Sequence, residues 1–291
     1  LNKTLLYFAI LVVSGIGWGL TMPLSKIAVS TGHQYFGLIA WQLVFGAIIL
    51  FAINRFQGRG LPFGPRYVLR YGLIALLGTI IPNSASYQAA VYLPAGLLSI
   101  LISLVPMFAL PLALIVGMER FEPLRFLGVV CGAVAIVLIV GPKASLPDAS
   151  LTFWVLIAAI APLMYAFEGT WVARYGILDL DPVQLLLGAS LVGLVFVVPL
   201  ALVSGQWVDL VQPWAAPEYA LFVSSVIHAL IYVVYVWLVG RAGSVFASQV
   251  AYLVTGSGVV WAILILSESY SAWIWSALGV MMLGLFLVRP R

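Results

Sequence analysis

The chain has 291 residues, of which 64% are hydrophobic and only 8% charged, against roughly 25% charged in an ordinary soluble domain. That balance excludes a soluble globular fold, and the net charge of +4 comes from basic residues scattered along loops, not gathered into the face that a nucleic acid needs. A single cysteine, Cys131, lies in an apolar run and excludes an intramolecular disulfide or a multi-cysteine metal site.

Apolar runs near the roughly 20 residues that a helix needs to cross the hydrocarbon core follow one another along the chain. Read between charges and turn residues, they predict spans at 5–29, 35–53, 71–91, 96–117 and 124–141, then at 151–173, 183–203, 219–239, 244–266 and 272–288. Strand-like alternation is absent within them, so a membrane barrel has no support. The first run follows Lys3 as in a signal peptide, yet it is about 25 residues long and lacks a small-residue cleavage site, so it is read as the first helix.

Helical spacing sorts the few polar and aromatic residues of each span onto faces. The first span aligns Trp18, Thr21, Met22 and Ser25; the third aligns Asn83, Ser86, Tyr87 and Ala90. The fourth offers Ser99 and Ser103, and the sixth Tyr165, Glu168, Gly169 and Val172. The eighth carries the clearest stripe, Ser224, Ser225, His228, Tyr232 and Tyr235, and the ninth adds Gln249, Tyr252 and Gly256. Serines within a bundle ordinarily bond neighbouring helices. His228, Asn83 and Gln249 carry more hydrogen-bonding capacity than a helix contact uses, which points to a wet cavity.

Two ionisable residues lie well inside spans. By a rise of 1.5 Å per residue, Lys26 sits about 13 Å outward of its span's centre and Glu168 about 9 Å inward of its own, so direct pairing is not expected. Lys26 either snorkels to headgroups, gates the outer side or captures a substrate carboxylate; Glu168 either bonds Arg174 or a nearby hydroxyl, or gates or couples transport. Glu119 and Glu268 fall at span ends, where a carboxylate caps the helix that follows. Glycines four apart, Gly15 with Gly19 and Gly128 with Gly132, predict close helix packing. Pro23, Pro82, Pro106 and Pro162 fall inside spans, where a missing N–H kinks or hinges a helix, and Pro106 is the central one.

The two halves compare with each other. A shift of 149 places Ser99 over Ser248 and Glu119 over Glu268, and a shift of 147 places Trp18 over Tyr165 and Gly46 over Gly193. Five helices per repeat, an odd number, make the halves enter the membrane from opposite sides. The expected fold is therefore all-α, ten transmembrane helices in two inverted five-helix repeats, 1–145 and 146–291, around a central cavity. With the N-terminus in the cytoplasm, eleven of the thirteen basic residues fall on the cytoplasmic side and only Lys143 in an outer loop, so both termini are expected there.

The segment Trp18-Gly19-x-x-x-Pro23-x-x-Lys26, and the stretch from Pro94 to Gly132 with Ser99, Pro106 and Gly117-x-Glu119, resemble the EamA-type drug/metabolite transporters, and nearly the whole chain shares the resemblance. Among these the chain looks most like the YddG-type amino-acid exporters. The second half departs from the pattern, with Thr255 in place of the matching proline and Ser267-Glu268 in place of Gly-Glu. The resemblance implies a multi-pass protein of the bacterial inner membrane that exports small metabolites by alternating access.

The residues and the resemblance together predict export of aromatic or other apolar amino acids. Trp18, Met22, Asn83, Tyr87, Ser99, Ser103, Tyr165, His228, Tyr232, Gln249 and Tyr252 are the candidate substrate-binding residues, and Lys26, Glu168 and Pro106 the candidates for gating or coupling. The alternative is a proton-coupled exporter of organic cations, held by Glu168 and aromatic faces. A remote one is an intramembrane serine protease built on Gly256-Ser257-Gly258 and His228. No phosphate loop accompanies the spans, no cofactor or metal is called for, and the expected partners are a small solute and the lipid bilayer, with the chain a monomer.

Overall fold

The structure, a computed structural model, describes residues 3–141, 146, 148, 150–242 and 250–288. Its described residues form ten helical spans and no strand. They are α1 (Lys3–Ala28), α2 (Tyr35–Phe56), α3 (Pro65–Tyr92), α4 (Ala95–Ile115), α5 (Pro123–Val140), α6 (Leu151–Tyr175), α7 (Pro182–Val203), α8 (Ala216–Ala242), α9 (Val250–Leu266) and α10 (Ala272–Val288). Gln249 and the predicted start of the ninth span lie outside the described residues, as do Lys143, Arg289 and Arg291.

Most ends fall within a few residues of expectation, but α3 begins six residues earlier than the apolar run. Pro65 fits the first helical position because its φ is already helical and its missing N–H is not needed there. Arg66 and Arg70 therefore lie on the helix, where hydropathy alone had ended the span. The start of α7 is local chemistry: the Asp181 carboxylate accepts from the N–H groups of Val183 and Gln184, and Gln184 returns a bond to the Asp181 N–H.

The principal helix pairs are kept when the halves are exchanged. α2 packs on α7, α4 on α9 and α5 on α10. α1 lies against α8 and α9 as α6 lies against α3 and α4, and α2 meets α8 as α7 meets α3. Apolar side chains do not drive helices together within lipid, so close approach depends on small residues. A Cβ on Gly15 or Gly19 would overlap Leu253 or Ser257 of α9, and one on Gly128 or Gly132 would overlap Val288 or Met107.

Among the described residues three spans are broken, each in the turn or two ahead of a proline. In α3 the stretch Leu76–Ile80 widens into a π-turn, with the Ile81 N–H bonded to the Leu76 carbonyl, ahead of Pro82. In α4 the chain tightens between Ile102 and Val105, where the N–H groups of Ser103 and Leu104 reach back only three residues, ahead of Pro106. In α6 the break falls at Ala159, ahead of Pro162. A proline removes the N–H that the carbonyl four residues before it would accept and its ring crowds the same oxygen, so widening or tightening the turn relieves both. α9 has Thr255 where α4 has Pro106 and runs unbroken; Pro23 leaves α1 unbroken as well.

Candidate substrate cavity

A cavity of about 40 Å³ lies between the halves, lined by Gln42 of α2, Thr79 of the π-turn, Ser190 of α7, and Ser225, His228 and Tyr232 of α8, with Leu43, Ile74 and Ala229 among its apolar walls. A volume of this size admits a water or two, whereas pockets for metabolites run to about 300–1,000 Å³. The conformation is contracted, and the helices must separate before a solute fits.

His228 and Tyr232, which line this space, belong to an aromatic and acidic cluster that lies behind its wall. The Trp18 ring lies 5.3 Å from Tyr235, 6.1 Å from Tyr232 and 6.3 Å from His228, and His228 lies 5.7 Å from Tyr232, centroid to centroid. Beside this cluster Glu168 is only 7% exposed, and its Oε1 accepts the Tyr232 hydroxyl at 2.6 Å. Of the two local partners open to this carboxylate the structure supplies the hydroxyl; Arg174 is exposed, and no ion pair reaches Glu168 among the described residues. The carboxylate rests on the π-turn, where a Cβ built on Gly78 would stand 2.6 Å from Oε1.

An amide network reaches the cavity through Gln42 alone, with its other members behind the wall. Gln42 Oε1 accepts from Asn83 Nδ2 and from the Tyr87 hydroxyl, each at 3.1 Å, and the Tyr165 hydroxyl donates to Asn83 Oδ1 at 3.3 Å. Asn83, Tyr87 and Tyr165 are thus drawn together from two spans. Gln42 and Thr79 were missed from sequence. Gln42 had a signal, being the single strongly polar side chain in the middle of the otherwise apolar α2; Thr79 had none, because its position depends on the π-turn.

Other candidates lie elsewhere. Ser99 and Ser103 are fully buried and donate to the backbone carbonyls of Ala95 and Ile100 within α4, with Ser99 filling the space over Gly258 at the α4–α9 contact. Met22 and Tyr252 pack against the main apolar core, and Pro106 stands just past the α4 break. Ser257 donates to the Leu253 carbonyl at 2.6 Å with the Gly15 carbonyl 3.1 Å away, facing α1 backbone rather than His228.

Lys26 ties down a turn: its Nζ donates to the carbonyls of Val91 and Leu93 at 3.1 and 3.0 Å, satisfying the end of α3. Glu268, expected to cap the helix after it, instead crosses to the other half and accepts from the N–H groups of Ala95 and Gly96 at 2.8 and 3.1 Å, at the start of α4, with the Tyr270 hydroxyl on its second oxygen at 2.6 Å. Exchange-symmetric packing sets the α9–α10 loop over that helix end. Glu119 pairs with Arg125 at 2.8 Å.

Contacts between the halves lie at both ends of the bundle. On the end of the N-terminus, Arg59 pairs with Asp181, and the Tyr67 hydroxyl donates to Asp179, holding that carboxyl below its usual range. On the opposite end His33 meets Glu218 at 2.6 Å and Trp41 Nε1 donates to the Val208 carbonyl at 2.8 Å.

Ten helices in two exchange-related halves around a central polar cavity define a multi-pass membrane transporter. Two successive matches to one family model, over residues 5–141 and 152–289, cover nearly the whole chain, which belongs to the EamA-like transporter family. Among solved structures, the chain is similar to a crystal structure described only as that of a protein, with a TM-score of 0.65 and 16% identity over 97% of this chain and 96% of that one, a likeness of fold. Comparison with curated proteins yields no match.

Proposed function

We propose that the chain exports apolar and aromatic amino acids by alternating access, with its two halves, divided at residues 145 and 146, rocking about the cavity. The observation that carries this reading is the division of the site. Glu168 and the Tyr232 hydroxyl suit an ammonium group, the amides of Gln42 and Asn83 suit a carboxylate, and the rings of Trp18, Tyr232 and Tyr235 offer a large face of low entropy cost to an apolar side chain. One observation favours a second reading, export of organic cations: the acid beside the aromatic cluster has no basic partner among the described residues.

Competition in vesicles of purified protein separates the two. Phenylalanine, tryptophan and leucine are expected to inhibit uptake of a labelled apolar amino acid, with quaternary ammonium compounds weak. Strong inhibition by the ammonium compounds and none by these amino acids replaces the first reading with the second.

The proposed orientation puts both termini in the cytoplasm of a cell whose membrane this chain spans, and the bias of loop arginines supports it. Tags at both ends are expected to resist external protease in intact cells and to be cleaved after lysis. Cleavage of either tag in intact cells overturns the orientation.

A further inference from the structure

A second cavity, about 200 Å³ and remote from the first, opens between α3 and α6 near the loop that follows α6, lined by Arg66, Leu69, Arg70, Trp171, Tyr175 and Leu178. The Arg70 guanidinium lies 4.6 Å above the Trp171 ring and gives Nη2 to the Tyr175 carbonyl at 3.0 Å, while its Nη1 is buried with no hydrogen-bond partner among the described residues. A buried guanidinium N–H without an acceptor is costly unless something brings one. Arg66, one turn away and exposed, gives Nη2 to the Tyr67 hydroxyl at 2.9 Å. The acid facing this pair is Asp179, which is exposed and already holds the Tyr67 hydroxyl.

The rest of the groove is apolar. Leu69 is 64% exposed, and Leu178 is held over the site at a positive φ of 61°, a conformation that a leucine adopts only against a steric cost. Arg66, exposed, and Arg70 behind it border an apolar, outward-facing floor at the end of the bundle that carries the loop arginines, a match for an anionic amphiphile: the oxygens of a phosphate on the guanidinium groups, the acyl chain along Leu69. A free phosphate shares the headgroup chemistry but leaves the apolar floor uncovered.

We infer that the α3–α6 groove binds an anionic phospholipid, with Arg66 and Arg70 on its phosphate. This goes beyond transport through the central cavity and is read without any transport measurement, so either proposal can fail alone.

Trp171 reports on the groove. Purified full-length protein is placed in phosphatidylcholine vesicles containing equal fractions of phosphatidylglycerol, with brominated acyl chains on one lipid or the other, and the Trp171 emission is taken as the difference from Trp171→Phe. Brominated phosphatidylglycerol is expected to quench that emission as if enriched about fivefold or more at the groove. The preference is expected to vanish in Arg66→Gln/Arg70→Gln and to persist in excess inorganic phosphate. If the double variant does not fold, the wild-type comparison and Arg66→Gln alone, expected to weaken the preference, decide. Equal quenching by the two brominated lipids overturns the inference, and so does loss of the preference in inorganic phosphate, which would make the groove a soluble-anion site.

Discussion

Gly78→Ala reduces transport about tenfold or more while leaving the helical fold in place. The added Cβ would stand 2.6 to 2.8 Å from the Glu168 carboxylate atoms, and those atoms are the end of a flexible side chain rather than backbone. The collision is therefore relieved by moving the carboxylate, which takes it from the Tyr232 hydroxyl. A hydrogen bond to a charged group is worth about 1.5–3 kcal/mol, and about 1.4 kcal/mol is a factor of ten. Transport by reconstituted protein checks the loss, and circular dichroism checks the fold. A Gly78→Ala/Glu168→Ala pair is expected to recover the melting temperature without recovering transport, the non-additivity that contacting groups show. Wild-type transport by Gly78→Ala would mean that the seat of the carboxylate on the π-turn does not matter to function.

The second large effect separates facilitated from coupled transport. Glu168 has a hydroxyl partner and no basic one among the described residues, and its neighbour Tyr232 lines the cavity. With the hydroxyl donating to the carboxylate, the pair joins α6 of one half to α8 of the same half, the role of a gate or brace. In liposomes with substrate and pH gradients set independently, wild type and Glu168→Gln are both expected to equilibrate a net-neutral amino acid, the variant about tenfold more slowly because the ammonium group loses its carboxylate, and neither is expected to concentrate it on a pH gradient alone. A tenfold substrate gradient supplies about 1.4 kcal/mol, enough for export from a loaded cytoplasm. Concentration by wild type on a pH gradient, lost in Glu168→Gln while equilibration persists, would make Glu168 the coupling acid.

Both experiments concern a contracted state. The cavity holds about 40 Å³, and contacts between the halves lie at each end of the bundle, Arg59 with Asp181 on one side and Glu268 with the α4 N-terminus on the other. Alternating access requires these to break in turn. The bond from Glu268 is the more deeply seated of the two, because it satisfies two N–H groups of a helix end that lipid cannot satisfy.

The sequence by itself determined the class of protein, the ten spans and the duplicated halves. Each rests on a property that adds up along the chain: hydrophobic length, charge bias in loops and the return of similar residues after a fixed interval. It also marked Trp18, His228 and Tyr232, and Asn83, Tyr87 and Tyr165, as the polar or aromatic faces of their spans, since helical periodicity is local. Only the tertiary structure decided which faces meet. Ser99 and Ser103 share such a face yet bond their own helix at a packed contact, and Lys26 and Glu268 end on backbone groups far away in sequence. The π-turn that seats Glu168 was equally out of reach. Pro82 announces a lost hydrogen bond, but not whether a span widens, tightens or runs unbroken, as α1 does at Pro23, because that is settled by packing against other helices.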